Sequence, residues 1–383
     1  MRILVAPQEF KGSLTAREAA EAIARGLRRG AAAAGRGVVV DLLPFADGGP
    51  GTAEAISDAL GGRRVHVHTG GPLGAPLDAT YVFIERVPLR DALEGPLAVI
   101  DSASACGLTL VPEERRDPLR ASSAGVGALV RDALARGARS IVLGVGGTAT
   151  NDGGAGVAQA LGVRLLDAAG GSLPPGAVHL ARLARVVRDG WPPSGLRIAV
   201  DVRNPLLGPE GATGIYGAQK GVRDWQAPAL EAALARWAGR LHQDLDLDIA
   251  SIPGAGAGGG LPCGLLAAMP DARVEPGAAL VGSVVGLRAR VEAADLVVTG
   301  EGTLDAQTAY GKAVAHIAAV AHDVGRPCLA VAGRIEARPG TIADAEAAMP
   351  DRAAREATQH DPAPPVEAAA ERLIARWLGD GGR

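Results

Sequence analysis

Short β-branched runs, each followed by a glycine-bearing turn and an alanine-rich helical stretch, recur at both ends of this chain. That alternation restricts it to an α/β architecture with largely parallel sheets. Residues 3–6 read as a first strand. Thr15-Ala16-Arg17-Glu18 is a capping box that starts a helix running to about Arg28, with Ile23 and Leu27 on its apolar face. Residues 38–43 read as a second strand, followed by a glycine-rich turn and a helix over 53–60. A less regular middle offers strands at 80–84, 97–100, 140–143 and 196–200. Residues 296–299 and 329–332 then return to the opening pattern of buried strand, loop and helix.

No internal repeat or low-complexity linker separates these parts, so the chain reads as two interleaved α/β domains. One is a Rossmann/flavodoxin-like parallel-sheet domain drawn from residues 1–68 and 287–383. The other, residues 69–286, is inserted into it and carries the richest glycine loop. The alanine- and charge-rich tail beyond Asp344 reads as solvated helix.

Composition excludes several classes. A net charge of −3 over 383 residues and a pI near 6.2 argue against a nucleic-acid partner, which demands a basic surface. Cys106, Cys263 and Cys328 are too scattered for a disulfide framework or a zinc site, and a reducing cytoplasm fits best. The opening residues hold too short an apolar stretch for a signal peptide. The uncharged segment 249–270 is long enough to span a bilayer. Its six glycines and the prolines Pro253, Pro262 and Pro270 make it read instead as a buried loop leading into a short helix. No membrane partner is expected, and the oligomeric state reads as monomer or homodimer. His66 and His68 alternate along a strand and share a face.

Of 39 basic side chains only Lys11, Lys220 and Lys312 are lysines, and Asn151 and Asn204 are the only asparagines. A bias this strong leaves lysine and asparagine where arginine or aspartate cannot do the same task. Each lysine adjoins a glycine, and a compact ammonium on a flexible stem suits a phosphate that moves during reaction.

The loops that could carry chemistry each follow a strand, where open α/β sheets hold their ligands. Phe10-Lys11-Gly12-Ser13 delivers Lys11 and Ser13 to a helix start. Asp47-Gly48-Gly49 follows the second strand. Gly144-Val145-Gly146-Gly147-Thr148-Ala149-Thr150-Asn151-Asp152-Gly153-Gly154 is the densest signal. Its first six residues match the relaxed dinucleotide fingerprint, with Asp167 where a ribose-binding acid would stand, so an NAD(P)-dependent hydroxy-acid dehydrogenase is one reading. Against it, Asn151-Asp152-Gly153-Gly154 delays the helix that should begin beneath a pyrophosphate. The loop fits a phosphate cradle better, with Gly146, Gly147, Thr148, Asn151 and Asp152 facing a polar ligand. Asp201 follows another strand, Lys220 lies beyond it, and Glu301, Asp305 and Lys312 close the set. No P-loop signature is present. Acids at strand ends with a few lysines are the parts of phosphoryl transfer: carboxylates hold Mg²⁺ and orient the attacking hydroxyl, while cations neutralise the transferred group.

At these loops the sequence resembles the type-1 glycerate kinase family, nearly end to end. The resemblance rests on Ala6-Pro7 with Phe10-Lys11-Gly12-Ser13-Leu14, Ala46-Asp47-Gly48-Gly49, and Gly146-Gly147 with Ala149-Thr150-Asn151-Asp152-Gly153-Gly154. It continues through Asp201-Val202 with Asn204-Pro205-Leu206, Gln219-Lys220-Gly221, Pro253-Gly254-Ala255-Gly256, and Thr299-Gly300-Glu301-Gly302 with Asp305, Gln307 and Thr308. It implies Mg²⁺- and ATP-dependent phosphorylation of D-glycerate, typically on the 2-hydroxyl, in a cleft between two α/β domains. On that basis Asp201, Lys220, Asp47 and Asp305 are the expected catalytic residues. Lys11, Ser13, Lys312 and the 146–152 loop are expected to bind ATP, and Asp201 and Glu301 the metal. The chain departs from the family pattern at Gln8-Glu9, usually Asp-Ser, at Pro50, usually glutamate, and at Thr148, Ala124 and Thr303. Those departures leave two alternatives to the kinase expectation, a related kinase with an altered substrate and a catalytically weakened ligand-binding paralogue.

Overall fold

A computed structural model describes residues 1–87, 93, 95–190, 195–305, 312–349, 361–379 and 381. The chain opens with strands β1 (Arg2–Pro7) and β2 (Val39–Leu42). It continues through β3 (Arg63–Gly70), β4 (Pro76–Ile84), β5 (Leu97–Asp101), β6 (Ser140–Val145), β7 (Arg164–Leu166), β8 (Arg185–Val187), β9 (Leu196–Val200) and β10 (Arg273–Pro276). It closes with β11 (Leu296–Leu304), β12 (Cys328–Ile335) and β13 (Asp344–Ala347).

These strands build two compact units. The first comprises Met1–Asp47, Glu54–Leu60 and Ala278–Arg383. Its five strands run β13-β12-β11-β1-β2, all parallel. Counted within the unit from the β2 side, the order is 2-1-3-4-5, the flavodoxin-like form of the doubly wound sheet. Its switch point lies between β1 and β11, so the loops leaving those two strands border the crevice where such sheets hold ligands. The second unit comprises Gly48–Ala53 and Gly61–Gly277. Its six-stranded sheet runs β10-β9-β6-β5-β4-β3, parallel from β10 to β5 and antiparallel through β4 and β3. A separate β7-β8 hairpin completes it. A boundary after residue 68 would cut through β3, which pairs along its whole length with β4, so β3 belongs to the inserted unit.

The helix over Ala16–Ala33 starts as the sequence dictates, with Thr15 and Glu18 exchanging the two hydrogen bonds of a capping box. It runs a turn beyond Arg28 because its last residues still face a partner. That partner is the helix Ala363–Gly379, which buries Val366, Ala369, Ala370, Leu373, Ile374 and Trp377. A Cβ on Gly26 would sit on the Glu367 carbonyl oxygen, so glycine is what allows the two backbones to approach. Arg25 and Arg29 close the edges of the contact on Glu367 and Glu371, each with an Nε–H at 2.9 Å. The reading of the tail as solvated helix is therefore corrected. Asp344–Ala347 is an edge strand, and the terminal helix is half core, each large apolar side chain it buries contributing about 1.5–3 kcal/mol.

Segment 249–270 forms the expected buried loop and short helix, Leu261–Ala268, all eight of whose residues are buried. Among the described residues, no helix is long and apolar enough to cross a membrane. All three cysteines are buried and free.

Candidate active site

In the first unit, β1 ends at Pro7 and the Gln8 amide donates to the Gly300 carbonyl of β11, at 2.8 Å. Phe10 then plunges into the core while its carbonyl accepts from the Ser13 hydroxyl and amide, both at 2.8 Å. This tight turn pushes Lys11, Gly12 and Ser13 out to solvent. The turn rides over β11: a Cβ on Gly302 would lie 3.4 Å from the Lys11 amide nitrogen. Asp47, only 8% exposed after β2, accepts from the Gln8 side-chain amide at 2.6 Å. Crowding by surrounding protein holds the Glu9 carboxyl above its ordinary value, against the pull of Lys11 and with some help from the charge of Asp47. Glu301 is buried on β11, Asp305 follows that strand half-buried, and Lys312 is the N-cap residue of the helix Ala313–Asp323. Lys11, Glu9, Asp47 and Asp305 thus stand beyond the C-terminal ends of strands in one sheet, with Glu301 in the later part of the β11 ladder. Gln307, Thr308 and Gly311 lie outside the described residues.

In the second unit, the loop after β6 is a buried polar knot. The Asp152 carboxylate faces inward, fully buried. It accepts from the Ser123 amide and hydroxyl at 2.9 Å, from Gly154 N–H and from Gly156 N–H at 3.1 Å. Burial pushes its pKa up while these four donors pull it back, with burial the stronger. Ser123 passes the tie on, its Oγ accepting from Val157 N–H at 3.0 Å. Asn151 is fully buried as well, its Nδ2 donating to Thr213 Oγ1 at 2.9 Å and its Oδ1 finding no hydrogen-bond partner among the described residues. Both side chains tie the loop together from within. Gly147 sits at φ +61°, where a side chain is strained, and a Cβ there would press on Pro50.

Lys220 belongs to the same knot. It is 2% exposed and donates to Thr150 C=O at 2.7 Å and Thr148 Oγ1 at 3.2 Å. Burial depresses its pKa from 10.5 to about 8, against the raising effect of the nearby Cys106 and Asp152. The folded chain consequently binds fewer protons than the unfolded one between pH 8 and 10.5, so stability rises with pH across that window. We expect this rise, on the order of 2–3 kcal/mol, to appear in urea unfolding of the natural chain and to vanish in Lys220→Met. Equal pH slopes in both proteins would show that the ammonium is solvated.

Asp201 stands exposed after β9, and its charge adds to the burial that raises the pKa of the Tyr216 hydroxyl. Asn204 braces the same loop, donating to Glu210 C=O at 2.8 Å and accepting from Tyr216 OH at 2.6 Å. The sequence reading missed Ser123 and Thr213. It also missed Asp101, whose carboxylate accepts from Gly51 and Ala53 N–H at 3.0 and 3.1 Å. Ser123 and Asp101 had findable signals, a serine just before a helical run and an acid at a strand end.

The fingerprint glycines do not make a dinucleotide turn. Gly144 is a strand residue, and the next helix starts only at Ala155. Asp167 is used in its own turn, accepting from Ala169 and Gly171 N–H at 3.0 and 2.9 Å. Among the described residues, no three His, Cys, Asp or Glu side chains form a ready metal cage.

Acids and Lys11 after the strands of a doubly wound parallel sheet in one unit, and a glycine-rich loop in the other, are the parts that small-molecule kinases use. The model of the glycerate kinase family matches residues 3–378, and the chain belongs to that family. It is 44% identical to a glycerate kinase of Halalkalibacterium halodurans over 87% of this chain and 85% of that one. It is 38% identical to a glycerate 2-kinase of Escherichia coli, over 89% and 87%. The crystal structure of a putative glycerate kinase 2 from Salmonella typhimurium superposes with a TM-score of 0.84 at 36% identity, covering 100% of this chain and 99% of that one.

Proposed function

We propose that this protein transfers the γ-phosphoryl group of ATP to the 2-hydroxyl of D-glycerate, releasing ADP and 2-phosphoglycerate. The observation that carries this reading is the family match over residues 3–378. Asp201, exposed after β9, takes the proton of the attacking hydroxyl. The hydroxyl oxygen bonds to the γ-phosphorus as the bond to the β-phosphate oxygen breaks, and ADP leaves with that electron pair. Lys11 and Lys312 meet phosphate oxygens, and the 146–148 loop shapes the phosphate cradle. Asp47, held by Gln8, keeps the turn bearing Lys11 in register with β2.

Magnesium needs only one or two carboxylates when phosphates supply its other oxygens. The strand-end acids suit that role better than a closed cage would, and Glu301 is the residue that would hold the ion. Bound there, Mg²⁺ would neutralise charge on the phosphates. Cytoplasmic work on a small soluble acid completes the reading.

A coupled ADP-release assay over a panel of small hydroxy acids, with phosphorus NMR of the product, tests it. Turnover with D-glycerate and a 2-phosphate signal are expected. A 3-phosphate product would overturn the position of transfer, and silence with glycerate would overturn the substrate.

A further inference from the structure

Lys220 has the burial of a core residue and the charge of a ligand-binding one. Among the described residues it has no carboxylate at ion-pair distance, and it donates to a hydroxyl and a backbone carbonyl of the same three-residue stretch, Thr148–Thr150. The turn that carries it is fixed from behind. Arg116 donates from Nη1 to the Gln219 carbonyl at 3.0 Å, and a Cβ on Gly221 would meet Arg116 Cβ at 3.0 Å. The short helix just before that turn, Ala212–Tyr216, supplies the Thr213 hydroxyl that receives Asn151. Segment 212–221 therefore grips the loop at two points, Asn151 from Thr213 and Thr148–Thr150 from Lys220.

We infer that segment 212–221 is a clasp and that Lys220 is its catch: a positioning residue that sets the glycine-rich loop for phosphate binding without itself reaching the phosphate. The inference rests on the kinase reading above, and it replaces the direct phosphate contact that the sequence suggested for this lysine. A cation that met phosphate would stand open to the ligand, whereas this one is turned into the knot. Misplacement of a loop by about 1 Å lowers turnover by on the order of 10²-fold, and that is the loss expected when the catch is removed.

A double-mutant cycle reads the mechanism. Lys220→Met and Thr148→Val are each expected to weaken ATP binding and lower kcat/KM. The pair is expected to do no more harm than Lys220→Met alone, because both remove one device. Propylammonium added to Lys220→Ala is expected to restore part of the activity by refilling the catch. The alkaline limb of the natural enzyme's profile, near pH 8, is expected to be absent from Lys220→Met. Additive losses, or full activity in Lys220→Met with an unchanged melting profile, would overturn the inference. ATP binding by calorimetry keeps the two readings separable. A chain that binds ATP but leaves glycerate untouched refutes the glycerate assignment while the binding cycle still judges the clasp. A chain that binds no ATP refutes both.

Discussion

Asp201→Asn is expected to lower kcat by on the order of 10³-fold, the usual worth of a general base, while leaving the melting temperature where it was. The second half of that expectation follows from the position. Asp201 is exposed after β9, and the strand it follows is held by β6 and β10 on either side. Asparagine keeps the shape and removes the negative charge together with the ability to take a proton, so a loss in kcat without a rise in KM separates base catalysis from binding. A spectroscopic companion exists in Tyr216, whose hydroxyl is raised by burial and then by the charge of Asp201. In Asp201→Asn its ultraviolet titration is expected to move to lower pH. Turnover that survives the substitution would remove Asp201 from the chemistry and shift attention to Asp305 and Asp47.

The largest effect on stability is expected from a single methyl group. Gly264 lies in the fully buried helix Leu261–Ala268, and a Cβ there would fall on the carbonyl of Gly154, with that residue's Cα at 2.8 Å. Backbone on both sides leaves nothing flexible to yield. Gly264→Ala should therefore cost more than about 3 kcal/mol, outweighing the ~1 kcal/mol that alanine gains over glycine in a helix. The same substitution at Gly239 is the control. That residue is an exposed site in the helix Ala227–Leu245 where a Cβ would meet nothing within 4 Å. There the helix preference acts alone, and alanine should stabilise by up to ~1 kcal/mol. Urea midpoints that move in the same direction for both variants would contradict the packing argument.

The elements that carry apolar runs and caps were legible before any coordinates. The strand starting the chain, the Thr15 box and the loop after β6 each announce themselves by a local rule. Elements built on context were not. Asp344-Ala345-Glu346-Ala347 has no strand preference of its own. It becomes β13 because β12 offers it a ladder and because Arg376 and Arg372 bind Asp344 and Glu346, at 2.8 and 2.7 Å. The alanine- and charge-rich terminal helix read as solvated, yet Ala370 packs opposite Gly26 and Ile374 opposite Gly30, where the absent side chains leave room for them.

The site shows the same division. Scarcity of lysine and asparagine singled out Lys220, Asn151 and Asn204. It could not tell which task each performs. All three are internal fasteners: Asn151 ties to Thr213, Asn204 joins Tyr216 to Glu210, and Lys220 secures Thr148 and Thr150. A compositional filter detects a task that needs one particular donor set, and a buried fastening meets that description as well as a phosphate contact does.

The first unit's sheet places β1 between β2 and β11, although more than two hundred residues of chain intervene before β11. During synthesis, β1 therefore emerges from the ribosome with one flank open and must wait until its distant neighbour has been translated. The inserted unit has all of its strands in hand by residue 276 and can acquire order first. Protein expressed from a message truncated near residue 290 should accordingly yield a protease-resistant core from the insert alone, with the opening helix and strands digested away.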